Sequence, residues 1–260
     1  MTELWASGAT YEPYVGRWSR LVAPRFVDWL ALPVGCRWVD VGCGTGALTA
    51  AILERAQPVS VVAVDPSPAH VDWARERQPD PRVEFRVGTL DVAAGTQAHA
   101  VVSGLVLNFL PDISAAVDAM RGLAPGGVVA AYVWDYGGSM QLMRYFWDAA
   151  IMLDSRAAAL DESARFAICA PDRLTDLWVT TGLTEVACDP IDVPTLFCSF
   201  DDYWEPFLHA HAPAPAYAQG LPDGARTELR ELLRTELPTA DDGTIALTAR
   251  AWAVRGRVAP

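Results

Sequence analysis

The 260-residue sequence has few basic residues and no long apolar run. Its 20 Lys and Arg residues stand against 32 Asp and Glu residues, which gives a formal net charge of −12 at pH 7. Binding to nucleic-acid phosphates or to an anionic membrane relies on a cationic surface, so neither partner is expected. No apolar stretch is long enough for a membrane span, and no signal-peptide pattern is recognised. We therefore expect a cytoplasmic protein without nucleic-acid or membrane partners.

Cysteine and histidine are also sparse. The five cysteines form no C-x-x-C pair and are odd in number, which argues against a disulfide framework or a cysteine metal site. No carboxylate–histidine array with metal spacing surrounds His209 and His211, so we expect no metal. His209 stays a minor candidate for a general base. With 52% hydrophobic residues, the chain can bury the core of a single domain over 1–260.

What the sequence does contain is a glycine-rich turn between an apolar strand pattern and a helical pattern. Gly42, Gly44 and Gly46 occupy alternate positions after the predicted strand. Glycines this close together let the backbone turn sharply and approach a ligand. A second apolar run ends at Asp65, where a carboxylate can bind the hydroxyls of a nucleotide ribose. The pattern predicts a nucleoside-bearing cofactor at the carboxyl end of a parallel sheet.

The same glycines fit a dinucleotide fingerprint, so glycine spacing alone leaves NAD or FAD open. Three features argue against a dinucleotide. Asp40 precedes the first glycine by two positions, Gly46 lies one step before the dinucleotide position, and residues 122–127 place a Pro-Gly-Gly turn between a helix and a strong strand. No Tyr-x-x-x-Lys arrangement for hydride transfer accompanies the glycines. An NAD-dependent oxidoreductase is therefore the weaker alternative.

The ordered set of motifs resembles the class I S-adenosylmethionine-dependent methyltransferases, of the quinone-biosynthesis and natural-product type. The matching segments keep the family's order and spacing within residues 35–135; they are 39–46, 65–67, 83–88, 101–103 and 123–127. The resemblance implies an α/β, three-layer Rossmann-like fold with a seven-stranded, mostly parallel sheet, an antiparallel last strand and helical cap insertions. It also implies S-adenosylmethionine as cofactor and S-adenosylhomocysteine as product.

The resemblance further implies cofactor contacts at the strand ends. The glycine loop would line the methionine and ribose parts, Asp40 would orient that loop or reach the amino group, and Asp65 would take both ribose hydroxyls. Many relatives carry Asp in place of Thr89, so Asp91 is an alternative acceptor for the adenine amino group. The full set is Arg17 for the cofactor carboxylate, Asp40, Gly42, Cys43, Gly44, Gly46 and Asp65, then Pro66, Thr89 and Leu90 around adenine, and Ser103 by the methionine portion.

The predicted elements divide the chain into four parts. These are a helical lead-in (1–34), a cofactor-binding core (35–135) and two cap or substrate insertions (136–170 and 194–242). Alternating strands and helices predict a parallel sheet with right-handed crossovers. Toward the end of the chain we predict a strand near 184–192, a short Pro/Ala loop over 211–216 and a last strand over 244–254.

Methyl transfer is a displacement at carbon, so positioning and exclusion of water matter more than a base. The predicted proton acceptors are Asp135 first, Tyr136 second and His209 third, although Asp135 capping the next helix is the favoured alternative. Asn108 would position a substrate group, or serve as a turn residue. Aromatic side chains would line a pocket for a flat or apolar substrate, or simply fill the core. These are Tyr11, Tyr14, Trp18, Phe109, Trp134, Trp147 and Trp204.

The resulting hypothesis is methyl transfer to an O, N or C atom of a small, apolar or aromatic molecule. The leading alternative is a cofactor-binding fold reused for a non-methylating reaction such as cyclisation. A homodimer is the only protein assembly that we consider.

Overall fold

The computed structural model describes residues 16–210 and 212–260, which fall into two compact units built from interleaved segments. The sheet unit comprises Ser19–Val133, Ala170–Ile191 and Ala251–Pro260. The helical unit comprises Met1–Trp18, Trp134–Cys169 and Asp192–Arg250, of which residues 1–15 and 211 lie outside the described residues. The two predicted insertions, 136–170 and 194–242, fall almost entirely in the helical unit.

Seven strands of the described chain form one sheet. They are β1 (Arg37–Val41), β2 (Ser60–Asp65), β3 (Val83–Val87), β4 (Ala100–Gly104), β5 (Val128–Trp134), β6 (Thr184–Phe197) and β7 (Ile245–Arg257). Their order across the sheet is β3-β2-β1-β4-β5-β7-β6, and the pairs from β3 through β5 are parallel. Strand β7 is antiparallel to β5, because Val258 bonds Gly127 whereas Arg250 bonds Asp135. The predicted sheet with its antiparallel last strand is confirmed.

The helices of the described residues agree with the predicted alternation. They are α1 (Arg17–Leu30), α2 (Ala47–Arg55), α3 (Pro68–Arg77), α4 (Ile113–Leu123), α5 (Gln141–Leu153), α6 (Glu162–Arg165), α7 (Pro171–Thr180), α8 (Phe200–His209), α9 (Pro213–Gly220) and α10 (Asp223–Glu236). Ser67 caps α3 and Asp112 caps α4, each through a side-chain oxygen that accepts a backbone N–H. None of these helices has the length and apolarity needed to cross a membrane.

The core of the sheet unit lies around its central strands. All seven residues of β5 are buried, as expected for a strand covered on both faces. Phe26 of α1 packs on Tyr132 of β5 with 4.7 Å between ring centroids. The indole of Trp178 in α7 donates to the carbonyl of Val129 at 3.1 Å. Helices α1 and α7 therefore both anchor β5.

Aromatic rings form the core of the helical unit. Phe146 of α5 stacks on Phe207 of α8 with centroids 4.4 Å apart and planes only 11° from parallel. The hydroxyl of Tyr203 donates to the carbonyl of Leu142 at 2.9 Å, which ties α8 to α5. These contacts hold the inserted helices together within their own unit.

Residues 213–216 are helical, whereas the sequence predicted a loop over 211–216. Pro213 begins α9, where its missing N–H removes no helical hydrogen bond. Ala214 and Ala218 are buried on one face of this helix, so tertiary packing stabilises a segment with weak sequence signals. Residue 211 lies outside the described residues.

Strand β6 continues to Phe197, beyond the predicted end near residue 192. Pro190 and Pro194 interrupt the sequence pattern, and both are absorbed because β6 lies at the edge of the sheet. From Ile191 to Phe197 every second residue is buried, which is the expected alternation for a strand with one covered face.

Candidate cofactor site

The glycine loop joins β1 to α2, and its three glycines have positive φ angles of 72°, 51° and 86°. A Cβ at Gly42 would lie 2.7 Å from the side chain of Val106, and one at Gly46 would collide with the amide of Gln78. A Cβ at Gly44 would meet no atom of the described chain within 4 Å. Gly42 and Gly46 thus make room for protein side chains, whereas Gly44 borders open space for a ligand.

Asp65 at the end of β2 is tied directly to this loop. Its Oδ2 accepts the backbone N–H of Gly44 at 2.9 Å, and its Oδ1 accepts that of Ser67 at 2.9 Å. The Nδ1 of His70 lies 3.6 Å from Oδ1. Each carboxylate oxygen has a second lone pair, so the carboxylate is fixed in orientation and can still accept from a ligand hydroxyl.

Asp40 is completely buried beneath the loop. Its Oδ2 accepts the hydroxyl of Thr49 at 2.6 Å, whereas its Oδ1 has no hydrogen-bond partner in the described part of the chain. Burial raises the pKa of Asp40 from 3.8 to about 7, because desolvation outweighs the bond from Thr49. An unpaired buried acceptor is costly, so its retention points to a partner outside the protein.

Gln78 supports the loop from the end of α3. Its Nε2 donates to the carbonyl of Gly46 at 2.9 Å, across 32 positions of sequence. Sequence reasoning missed this residue, because no motif or periodicity relates Gln78 to the loop. Cys43 packs into the core with Val71 and Phe85, and burial raises the pKa of its thiol far above the ordinary range. Cys43 therefore offers only backbone atoms to a ligand.

The end of β3 adjoins Asp65, because the N–H of Gly88 donates to the Asp65 carbonyl at 3.0 Å. The hydroxyl of Thr89 donates to the carboxylate of Asp91, and this bond lowers the pKa of Asp91. Leu90 begins a short 3-10 helix, Leu90–Ala93. Thr89 and Asp91 thus form one polar group, and the carboxylate supplies the charge that Thr89 lacks.

The end of β4 carries one predicted contact that is already engaged. Ser103 is completely buried and its hydroxyl donates to the Val41 carbonyl at 2.9 Å, so this hydroxyl bridges β4 and β1. Its contact with the cofactor stays a prediction. Asn108, in the short 3-10 helix Leu107–Phe109, is buried with no partner for its Nδ2 among the described residues. Phe109 is partly exposed.

The predicted proton acceptors lie in the helical unit and are held by local contacts. The Oδ2 of Asp135 accepts the N–H of Ser139 at 2.8 Å, which organises the turn before α5. Asp135 does not cap that helix, because its N-cap residue is Met140 and no side chain caps it. The ring of Tyr136 packs against Phe166 at 5.1 Å. His209 is exposed and lies 3.2 Å from Glu205 on the same helix face.

Three tryptophans predicted to line a substrate pocket are instead buried. Trp134, Trp147 and Trp204 are each nearly inaccessible, and the Trp147 indole donates to Glu162. These indoles fill the protein interior, as the alternative in the sequence analysis allowed. Tyr11 and Tyr14 lie outside the described residues.

Residues 39–129, which run from β1 into β5 and include the glycine loop and Asp65, match the family model described as a methyltransferase domain. This region, about a third of the chain, is similar to a methyltransferase domain. The resemblance to the class I S-adenosylmethionine-dependent methyltransferases is therefore confirmed.

Curated relatives of the methyltransferase domain act on different small molecules by name. Trans-aconitate 2-methyltransferase of Methylobacterium radiotolerans is 38% identical over 101 residues, which cover 37% of this chain and 37% of that protein. The 2-methyl-6-phytyl-1,4-hydroquinone methyltransferase of Synechocystis sp. is 27% identical over 67% of this chain and 55% of that protein. The matched region thus spans about a third to a half of the length of these relatives.

A solved structure shows that the likeness of fold extends beyond the methyltransferase domain. The structure of a candidate type II methyltransferase from Anaeromyxobacter dehalogenans has a TM-score of 0.59 and covers 86% of this chain and 90% of its own. At 19% identity this similarity establishes the fold alone.

Proposed function

We propose that this chain transfers a methyl group from S-adenosylmethionine to an O, N or C atom of a small, apolar or aromatic molecule. The observation that carries the proposal is the unpaired Oδ1 of Asp40, buried beside a glycine loop whose Gly44 borders open space. Asp65 fixes this loop through the Gly44 N–H. The match of residues 39–129 to a methyltransferase domain supports the same activity.

The residues present fit S-adenosylmethionine. Asp65 would accept from the ribose hydroxyls through its remaining lone pairs, and Asp40 would accept from the amino group, directly or through water. The Thr89–Asp91 pair would accept from the adenine amino group, with Pro66 and Leu90 against the ring. When bound, the cofactor supplies a methyl group on a positively charged sulfur.

The chain's own task would then be to align a nucleophile and exclude water. The Nδ2 of Asn108, a buried donor without a partner among the described residues, would orient an oxygen atom of the substrate. Phe109 would offer an apolar contact beside it. Asp135, Tyr136 and His209 remain predictions as proton acceptors, as do the cytoplasmic location and a homodimer.

Calorimetric titration with S-adenosylmethionine, S-adenosylhomocysteine and NAD tests the cofactor. We expect micromolar binding of the first two and none of NAD; binding of NAD alone would contradict the proposal. A substrate screen that follows S-adenosylhomocysteine release, and that includes trans-aconitate and alkylated hydroquinones, tests the reaction. Consumption of a substrate without that release would instead support the cyclisation alternative.

Replacing the ribose carboxylate gives a residue-level test of the same site. Asp65→Ala should weaken S-adenosylhomocysteine binding by about 2 kcal/mol, the typical worth of hydrogen bonds to a charged group. Ser67→Ala is the matched control, because it removes the cap of α3 but leaves the Ser67 backbone N–H on Asp65. It should lower the melting temperature without changing affinity. Equal affinities of Asp65→Ala and wild type would remove Asp65 from the site.

A further inference from the structure

Buried hydrogen-bond donors without acceptors gather at the start of α1 and the end of β6. The Nε and Nη2 of Arg17, the Nε1 of Trp18 and the Oγ1 of Thr195 have no hydrogen-bond partner within residues 16–210 and 212–260. All three residues belong to the helical unit. We call them, with Phe197, the donor cluster.

The guanidinium of Arg17 is held between two rings. Its central carbon lies 4.3 Å from the ring centroid of Trp18 and 4.8 Å from that of Phe197, and these two rings meet edge to face at 5.5 Å. On one side, Nη1 pairs with the carboxylate of Asp202 at 3.1 Å. The opposite edge, formed by Nε and Nη2, is buried and has no hydrogen-bond partner among the described residues. That edge is a planar fork of two N–H donors. This geometry binds a carboxylate through two parallel hydrogen bonds.

Thr195 adds a hydroxyl along the same strand face. It lies two residues before Phe197, and both are buried in the alternating pattern of β6. A threonine hydroxyl can donate as well as accept, and the remaining free groups of the cluster only donate. Leaving several such groups unpaired in the interior costs free energy, and the charged group costs most. The cluster is therefore complementary to an acceptor-rich, negatively charged group.

We propose that the donor cluster binds the carboxylate of the methyl-acceptor substrate, and that this substrate is an aromatic or apolar carboxylic acid. The proposal rests on the proposed methyltransferase function and deepens it by naming the substrate class. The carboxylate pairs with the Nε–Nη2 edge of Arg17, and the rings of Trp18 and Phe197 contact the apolar body. The methionine carboxylate of the cofactor has the same chemistry. The rings of Trp18 and Phe197 beside the guanidinium favour the substrate, whose body is aromatic or apolar.

Binding of model carboxylates tests the cluster without cofactor or turnover. Phenylacetate and cinnamate are titrated into the full chain, with phenylacetamide and cinnamamide as uncharged counterparts, and the Arg17 Nε–H signal is followed by NMR. Saturable shifts with both acids and not with the amides are expected. Arg17→Met should weaken binding of the acids at least tenfold by calorimetry. Absence of a saturable shift of Arg17 with either acid overturns the proposal.

Arg234→Met is the matched control in the same unit. Arg234 also covers an aromatic ring, that of Phe200 at 4.1 Å, but is exposed and has no buried unpaired donor among the described residues. Its replacement should leave carboxylate binding unchanged. Arg17→Met removes the Asp202 pair and the ring contacts together with the unpaired donors, so thermal melting is used only to confirm that the variant is folded.

Titration with S-adenosylhomocysteine and with 5′-methylthioadenosine, which lacks the amino-acid portion, distinguishes a substrate carboxylate from the cofactor carboxylate as the partner of Arg17. The substrate proposal expects Arg17→Met to bind both nucleosides as wild type does. A tenfold loss for S-adenosylhomocysteine alone would assign Arg17 to the cofactor and overturn the substrate proposal. If the wild type binds neither nucleoside, the methyltransferase function fails, and the carboxylate titration still reports on the cluster by itself.

Discussion

Asp40 shows how a single buried atom can report on a ligand. The protein keeps this carboxylate away from water, provides one hydroxyl from Thr49 and leaves the second oxygen unpaired. Structural stability alone does not favour such an arrangement. A ligand ammonium would both pair with the oxygen and favour the charged form of the carboxyl group.

A pH dependence of cofactor binding follows from this environment. Because the pKa of Asp40 is about 7 in the free protein, the side chain is mostly protonated below that pH, and binding of an ammonium must release the proton. Affinity for S-adenosylhomocysteine should therefore rise by up to about tenfold per pH unit toward pH 7 and then level off. Asp40→Asn should bind more weakly and lack this slope. Parallel pH profiles of the two proteins by calorimetry would show that Asp40 exchanges no proton on binding.

At the glycine loop, the sequence predicted the residues but not their tasks. The strand-to-helix turn and Asp65 were evident from local patterns, because a buried strand and a tight turn leave marks in neighbouring positions. The neighbours of Gly42 and Gly46 are Val106 and Gln78, which are distant in sequence. Such contacts depend on tertiary structure, so spacing alone could not separate a glycine that faces a ligand from one that admits a side chain.

Secondary elements were predicted best where one physical signal dominates. The fully apolar β5 and the capped helix α4 carry such a signal, because burial on both faces and an Asp cap are local properties. Strand β6 and helix α9 extend beyond the sequence signal, since each contains prolines that the tertiary environment tolerates. Position at the sheet edge determines the extent of β6, and packing against neighbouring elements determines that of α9. Neither property can be read from a few adjacent residues of the sequence.

Helices α5, α6 and α9 meet at one buried carboxyl group that no sequence motif marked. Glu162 accepts the indole N–H of Trp147, and the backbone of Ala214 at the start of α9 also hydrogen-bonds to it. Burial, with a smaller contribution from the neighbouring Asp161 carboxylate, raises the pKa of Glu162 from 4.5 to about 7. Asp161 itself pairs with Arg144 at 2.8 Å. Glu162 thus joins three elements of the helical unit. The free-energy cost of burying its carboxyl group depends on pH, because only the ionised form is penalised.

The raised pKa of Glu162 predicts a loss of stability with rising pH. Between about pH 4.5 and 7 the folded chain retains a proton that the unfolded chain has lost, so the free energy of unfolding should fall through this window and level off above it. Glu162→Gln should make the urea-unfolding free energy less dependent on pH between 5 and 7. Glu228→Gln, at an exposed position of α10, is the control and should keep the wild-type slope. An unchanged slope in Glu162→Gln would refute the assignment.

Across the whole molecule, the sequence distinguished the sheet unit from the helical insertions well. It predicted less well which side chains line a pocket and which fill a core. Strand–helix alternation marked the sheet unit, and its interruption after Trp134 marked the first insertion. Aromatic content was less informative, because a tryptophan that lines a pocket and one that fills a core have the same local pattern. Trp147 and Trp204 proved to be core residues, whereas the unpaired indole N–H of Trp18 became visible only in three dimensions.

The net charge of −12 predicts that salt stabilises the folded chain. Many ion pairs in the described residues are solvent-exposed, such as Arg257–Glu185, and exposed pairs contribute only about 0–1 kcal/mol each. Repulsion among the excess carboxylates should therefore outweigh them at low ionic strength. Raising NaCl from about 0.01 M to about 0.15 M shortens the screening length from about 30 Å to about 8 Å and should raise the melting temperature.

A charge variant separates this screening from a general salt effect. Asp241→Lys, in the exposed turn before β7, lowers the excess negative charge by two. It should melt higher than wild type at low salt, and the difference should shrink as NaCl screens the repulsion. Sodium chloride is used rather than sulfate, because sulfate strengthens apolar burial by itself. If wild type melts at lower temperature as NaCl rises, attractive ion pairs dominate the electrostatics of this chain, and its acidic excess is a property of the surface without a folding cost.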